Sequence, residues 1–188
     1  MRPLRPAELT AEQRRMYEAL TGGARAGQAI PLTDEDGGLQ GPFDPLLRVP
    51  GVGDAVQRLG EQLRFAGVLD GRLRELAILT VATHWRSGYE WYAHTNIARE
   101  QGLLTDAELD ALRTGAVPET CDESERVALA LVHALLRSGE VPERTYESVR
   151  KLLGEEALVE LACLAGYYGL LAGVLATFAV STPDARSG

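Results

Sequence analysis

An all-α fold with about seven or eight helices in a single domain is the architecture that this 188-residue chain predicts. Three observations lead to it. Apolar residues recur at helical spacing, capping signals precede those runs, and no stretch alternates with the period of two that marks a strand. The sequence also lacks a glycine-rich phosphate loop. We expect an N-terminal helix plus an irregular loop at residues 1–45 and a helical core at residues 46–180.

The N-terminal region begins with a capping signal. Thr10 is placed to cap a helix that runs to Leu20, with Gln13 three residues on to complete the capping box. Residues 22–45 are rich in Gly, Pro and Asp and predict a long irregular stretch. Such a stretch is either a lid or binding loop or a mobile connector, and the sequence leaves both alternatives open.

The core region reads as a series of helices separated by turn signals. Val52 to Phe65 has apolar residues at helical spacing, and Thr105 with Glu108 forms a capping box. The other predicted helices run from Arg72 to Trp85, Tyr89 to Gln101, Asp106 to Arg113, Asp122 to Arg137, Pro142 to Leu153, and Glu155 to Val180.

Composition excludes several classes of function. The net charge is −8 and no basic patch is present, so nucleic acid is not an expected partner. The two cysteines, Cys121 and Cys163, support neither a disulfide framework nor a thiolate metal site. The N-terminus lacks the apolar core of a signal peptide, so we expect a cytoplasmic protein.

Residues 161–180 form an uncharged stretch that is long enough to span a bilayer. The stretch is rich in Ala and Gly, and the flank from Ser181 to Gly188 holds one Arg and one Asp, which would anchor it weakly. Small residues allow close helix–helix packing. We therefore expect a buried core helix or a subunit-interface helix, and no membrane association.

Residues 87–94 carry the pattern most suggestive of chemistry. Glu90 and His94 are four residues apart in a predicted helix, so they share a face, and Ser87 falls on the same stripe. A carboxylate beside an imidazole is a common general base. Tyr89 and Trp91 are candidates to enclose a substrate. The alternative is an ordinary surface pair at i,i+4.

Two other histidines are assigned structural places. His84 is ten residues before His94 and faces away from it on a continuous helix, so we expect it to be structural or exposed. His133 lies among Leu131, Val132 and Ala134 and predicts a core or interface residue.

Three blocks of sequence together resemble the carboxymuconolactone decarboxylase family, which includes the alkylhydroperoxidase D-like proteins. The blocks are residues 74–79 (RELAIL), residues 89–102 (the pattern YEWxxHxxxAxxxG), and residues 166–168 (GYY). The resemblance covers roughly residues 40–180. It implies an all-helical fold that assembles into homo-oligomers, either trimers or hexamers.

The peroxidase branch of that family uses a Glu, a Cys-xx-Cys pair and a His. The resemblance places the Glu at Glu75 and the His at His94, whereas Ser87 and Glu90 occupy the two cysteine positions. A hydroxyl cannot replace a thiolate in peroxide chemistry. The resemblance therefore implies Glu75, Glu90 and His94 as catalytic residues for proton transfer, on the decarboxylase side of the family, without a cofactor.

The expected substrate is a small organic acid or lactone. Arg64 and Arg86 are candidates to bind its carboxylate, because guanidinium matches that group bidentately, although each is also typical of a solvated surface residue. Glu75 has a structural alternative, a buried ion pair with a nearby Arg. We predict no bound metal, but two carboxylates and one His also suit a metal-dependent enzyme. The remaining alternative is a non-catalytic oligomeric binding or scaffold protein of the same fold.

Overall fold

The computed structural model describes residues 2–27 and 30–183 and is all-α, as predicted. Within that part of the chain there are eight α-helices and no strand, only an isolated bridge between Thr33 and Leu39. Residues 181–188 are the flank that the sequence predicts to be a weak membrane anchor, and residues 184–188 of it lie outside the described part. After a 3-10 turn at Pro6–Glu8, the helices are α1 (Ala11–Gly22), α2 (Phe43–Leu47), α3 (Pro50–Phe65), α4 (Gly71–His84), α5 (Gly88–Glu100), α6 (Asp106–Arg113), α7 (Glu123–Ser138) and α8 (Glu143–Thr177).

The chain divides into two compact units. One comprises the described residues up to Ala66 together with those from Gly173 onward, and the other is Gly67–Ala172. The boundary expected at residues 45 and 46 falls inside the first unit.

The first unit is built by α1, α2 and α3. Helix α2 was not predicted, because five residues are too short to show a period, but all five of its side chains are buried. It packs closely on α3: a Cβ at Gly53 would collide with the carbonyl oxygen of Leu46. The preceding irregular stretch is anchored in this unit by Leu39, which is 1% exposed, rather than lying on the surface throughout.

The second unit is centred on α4, which packs against α5, α6 and α7. From Leu76 to Val81 this helix is buried on every side, as a central helix should be. The core between α4 and its neighbours is a cluster of buried side chains: Leu76, Leu79, Ala98, Leu104, Leu109, Leu112, Cys121 and Leu129.

The predicted caps are confirmed. Thr10 with Gln13 and Thr105 with Glu108 both form complete capping boxes, in which each side chain satisfies a backbone N–H of the first turn. Each capping box is visible in the sequence because its two residues are only three positions apart.

Helix α8 is interrupted where the sequence places a break. Gly154 has φ 87°, a left-handed value that glycine tolerates, between two helical stretches. By length and composition, α8 could cross a membrane. An 18-residue window of this helix has a mean hydropathy of 1.8, and 44% of that window is buried in the protein. One such helix is weak support for a membrane segment, because the core helix of a soluble protein passes the same criterion.

Candidate functional site

Helices α4 and α5 bring the three predicted catalytic side chains together. Glu75 lies in the middle of α4, and Glu90 and His94 lie on one face of α5. Their exposed fractions are 1%, 3% and 3%, so all three are withdrawn from solvent. We call Glu75, Glu90 and His94 the acid–imidazole site.

The geometry of the site sets the partner of each imidazole nitrogen. His94 Nδ1 lies 2.6 Å from Glu75 Oε2, the distance of a short hydrogen bond. With Glu75 ionised, His94 Nδ1–H is the donor, because a carboxylate only accepts. On the opposite side of the ring, Nε2 lies 3.6 Å from Glu90 Oε2, within ion-pair distance but too far for a hydrogen bond. The i,i+4 spacing thus supplies one carboxylate, and helix packing supplies the closer one.

Aromatic side chains from α8 complete the enclosure. The ring of Tyr168 meets the His94 ring edge-on, with centroids 5.1 Å apart, and Tyr167 meets Tyr168 in the same way. Both tyrosines are buried. No local spacing in the sequence places them beside His94. The signal that could have done so is the GYY block of the family resemblance.

Ser87 lies at the N-terminus of α5 without acting as its cap. Its side chain makes no capping hydrogen bond, and its buried Oγ has no hydrogen-bond partner among the residues that the structure describes. A buried hydroxyl without a partner costs free energy, and in a native structure it calls for an explanation. Glu90 of the acid–imidazole site lies one turn along the helix from Ser87.

The other predicted substrate-binding residues are placed differently from one another. Tyr89 is buried, and Arg86 is exposed with φ 52°, in the sharp turn between α4 and α5. Trp91 packs against the core cluster under the guanidinium of Arg113, 4.8 Å from its ring centroid, so its contacts are those of a packing residue. Arg64 belongs to the first unit, where its guanidinium lies over the ring of Phe65.

Metal binding by the three residues does not suit this geometry. The two carboxylates approach different nitrogens of one ring, which point in divergent directions, so a single ion cannot bind all three groups in this arrangement. Within residues 2–27 and 30–183, no group of three or more His, Cys, Asp or Glu is arranged to hold a metal ion.

The burial of each cysteine is the reverse of what its sequence surroundings suggest. Cys121 lies in a polar stretch, yet it is buried, and Cys163 lies in an apolar stretch, yet it is exposed. Both are free. Burial raises the pKa of the Cys121 thiol to about 11, so it stays protonated and unreactive near neutral pH.

A second charged cluster on α4 was not predicted. Arg72 donates to Glu125 Oε1 and to Glu108 Oε1, both at 2.7 Å, and to the carbonyl oxygen of Leu103. Glu108 also accepts from the side chain of Thr120. The hydrogen bond from Arg72 lowers the pKa of Glu108 to about 2. We call Arg72, Glu108 and Glu125 the ion-pair hub.

Comparison with known proteins bears on the family and the fold. Residues 50–134 match the carboxymuconolactone decarboxylase family. Among curated proteins, none matches the sequence significantly.

Several solved structures share the fold. A peroxidase-related protein from Ralstonia eutropha JMP134, described as an alkylhydroperoxidase AhpD core, is 17% identical with a TM-score of 0.77, covering 98% of this chain and 92% of its own. The debrominase Bmp8 in complex with 2,3,4-tribromopyrrole is 16% identical with a TM-score of 0.71, covering 97% and 91%. A protein from Agrobacterium tumefaciens, described as a putative antioxidant defence protein AhpD, is 20% identical with a TM-score of 0.65, covering 71% and 92%. Residues 50–134 thus match the carboxymuconolactone decarboxylase family, and the chain has the alkylhydroperoxidase D-like fold.

Proposed function

We propose that the protein is an enzyme of the carboxymuconolactone decarboxylase type, which uses His94 as a general acid/base on a small organic acid or lactone. The observation that carries this proposal is the 2.6 Å hydrogen bond between buried Glu75 and buried His94. A base that is itself held by a third group is the arrangement on which proton-transfer catalysis depends.

Each member of the acid–imidazole site has a distinct part in the proposal. Glu75 fixes the ring with Nδ1 protonated, so Nε2 is the nitrogen that exchanges a proton with the substrate. Glu75 also stabilises the positive charge that the ring gains when Nε2 is protonated. Glu90 Oε2, 3.6 Å from Nε2, lies beside the path of that proton.

The proposed decarboxylation has a simple balance. The bond between the substrate's carbon and its carboxylate breaks, and CO₂ leaves. The electron pair moves into a conjugated enol-lactone within the substrate. His94 Nε2–H then delivers the proton that the carbon requires, and the imidazole returns to its neutral form. Burial of the site excludes water and strengthens these electrostatic interactions.

Ser87 and Arg86 are the proposed contacts for the substrate's oxygen atoms. The Ser87 hydroxyl is buried without a partner and lies at the start of the helix that carries Glu90 and His94. Arg86, immediately before it, is an exposed cation at the same helix end. Tyr89 would contribute an apolar wall. Arg64 and Trp91 keep their place as candidates only, given the packing contacts described above.

The proposed chemistry needs no thiol. The chain has two cysteines 42 positions apart in sequence, 121 and 163, rather than a Cys-xx-Cys pair, and the first is buried and stays protonated. Two-electron reduction of a peroxide by a vicinal thiol pair has no counterpart in such a sequence. This supports a lyase rather than a thiol peroxidase.

We also propose a cytoplasmic homo-oligomer, a trimer or a hexamer. Exposed apolar side chains on the second unit support a helical interface: Val159 on α8 is 60% exposed, Leu170 is 45% exposed, and Trp85 is 52% exposed. Sedimentation of the purified protein measures the assembly directly.

The test is turnover of carboxymuconolactone by the purified protein, followed by CO₂ release. Replacing His94 by Ala should lower kcat/KM by at least about 100-fold. The matched control is Glu100→Ala, an exposed residue of the same helix, which should retain activity within about twofold. A loss below threefold in the His94 variant would discredit the assignment.

The competing proposal is a non-catalytic scaffold of the same fold. That role predicts solvated side chains at Glu75, Glu90 and His94, or side chains engaged in subunit salt bridges. Their exposure of at most 3% favours the enzyme over the solvated form of that alternative. Failure of the wild-type protein to turn over any carboxylated lactone, with the site intact, would favour the scaffold.

A further inference from the structure

One cleft in the Gly67–Ala172 unit is lined by several basic side chains, although the protein as a whole is acidic. It has a volume of about 640 Å³, and its lining includes His84, Arg126, His133 and Arg137. No Asp or Glu is among its lining residues, although the whole chain carries a net charge of −8. None of the acid–imidazole site's side chains lines it, so the two sites are separate. We call it the cationic cleft.

The cleft follows one face of α7. Arg126, Ala130, His133, Ala134 and Arg137 recur at spacings of three and four residues, so they form a single stripe on that helix. The two alanines give the stripe a shallow floor between the two arginines. Eleven residues separate those arginines, a rise of about 16 Å along the helix.

The opposite wall comes from α4. Thr80, Thr83 and His84 share one face of that helix and line the cleft. The hydroxyls of Thr80 and Thr83 donate to backbone carbonyl oxygens, whereas the arginines, the histidines and Thr145 are the other lining residues with side-chain donors.

The basic side chains of the cleft are not paired with acids in the described part of the chain. None of the four forms an ion pair with an acidic side chain in the part of the chain that the structure describes. Arg126 and Arg137 each donate to a backbone carbonyl oxygen, that of Glu119 and that of His133. Both arginines are exposed, and His133 is half-buried. This differs from Arg72, whose charge is balanced by two carboxylates.

The titration of His133 reflects the same excess of positive charge. Burial lowers the pKa of His133, and the nearby charges of Arg137 and His84 lower it further. An anion in the cleft would offset that repulsion.

From this arrangement we infer that the cationic cleft binds a small anion with two or more negative charges, bearing carboxylate or phosphate groups. Each guanidinium of the cleft suits such a ligand, because it can bind an oxyanion bidentately. The imidazoles of the walls add donors between them. The ligand would bind independently of the chemistry at His94.

The experiment uses the three histidines of the 188-residue protein as reporters. Imidazole C–H signals are recorded by NMR while citrate or pyrophosphate is added at constant ionic strength. We expect saturable shifts of the His133 and His84 signals, with a Kd below about 1 mM, and no shift of His94, which lies in the other site. Comparing the two anions distinguishes a carboxylate ligand from a phosphate ligand.

The variants separate charge from structure. Arg126→Gln with Arg137→Gln should raise the Kd at least tenfold, whereas Arg126→Lys with Arg137→Lys, which keeps both charges but loses the bidentate geometry, should bind more tightly than the Gln pair and less tightly than wild type. Arg150→Gln, an exposed arginine outside the cleft, is the matched control and should stay within twofold. Circular dichroism verifies that each variant is folded.

Three results would overturn the proposal. The first is a His133 shift that sodium chloride reproduces at equal ionic strength. The second is a doubly substituted protein that binds as well as wild type. The third is a shift that occurs only when sedimentation shows a change of oligomeric state, because the cleft then receives an acidic surface of a second copy instead of a small anion.

Discussion

Two charged clusters lie one turn apart on α4 and differ in how completely they are satisfied. At the ion-pair hub, Arg72 meets two carboxylates and a carbonyl oxygen. At the acid–imidazole site, Glu75 meets an imidazole that faces a second carboxylate on its other side. The first cluster pairs one guanidinium with two carboxylates. The second gathers two acids around one titratable ring and has an unpartnered Ser87 hydroxyl at the start of the helix that carries them.

The difference distinguishes stability from chemistry. A fully hydrogen-bonded ion network rigidifies a fold and leaves nothing for a ligand. A cluster in which two carboxylates flank one imidazole, with an unmet hydrogen bond nearby, is typical of functional sites. The comparison therefore supports the proposal that the hub stabilises the fold and the acid–imidazole site carries the function.

Removing the arginine of the hub should have the largest effect on stability. Arg72→Gln leaves the buried carboxylate of Glu108, 5% exposed, without its cation, so the free energy of unfolding should fall by about 3 kcal/mol in urea denaturation. Activity at His94 should stay within threefold under conditions where the variant is folded. A stable but inactive Arg72 variant would break the comparison, because the two clusters would then act as one.

The hub should also govern acid stability, with a somewhat smaller effect. Arg72 holds the pKa of Glu108 at about 2, below the value of 4.5 expected without such contacts. Between these values the unfolded chain binds the extra proton, so this contribution is present above about pH 4.5 and is lost as the pH falls toward 2. We expect a loss of about 2 kcal/mol over that range. Glu108→Gln should flatten this part of the stability–pH curve, and an unchanged slope would contradict the assignment.

Ser87→Ala should have the smallest effect and the most diagnostic sign. It removes a buried hydroxyl that has no partner, so we expect a gain of about 0.5–1 kcal/mol in the free energy of unfolding. The same change should raise KM several-fold if that hydroxyl binds substrate. A loss of stability would show that Ser87 has a structural role, and the comparison would then rest on Glu75, Glu90 and His94 alone.

Much of the fold was accessible from the sequence because its signals are local. The capping box of Thr105 and Glu108 and the break at Gly154 each involve residues within a few positions of one another. Helix α2 escaped prediction because it is too short to show a period and is fixed by packing. The prediction for His133 was only partly right: it is half-buried in the cationic cleft, because a stripe of small alanines opens that face of α7.

The candidate site divides in the same way. Spacing alone placed Glu90 and His94 on one face of α5, since a helix turn brings i and i+4 together. Glu75 is 19 residues from His94, and its proximity was available only through the family resemblance. The other contacts depend on how the helices pack. They are the 2.6 Å contact between His94 and Glu75, the Tyr168 ring against the imidazole, and the ion pairs of Arg72 with Glu108 and Glu125. Contacts between distant residues depend on how whole helices bury their apolar faces, and no local pattern encodes that outcome.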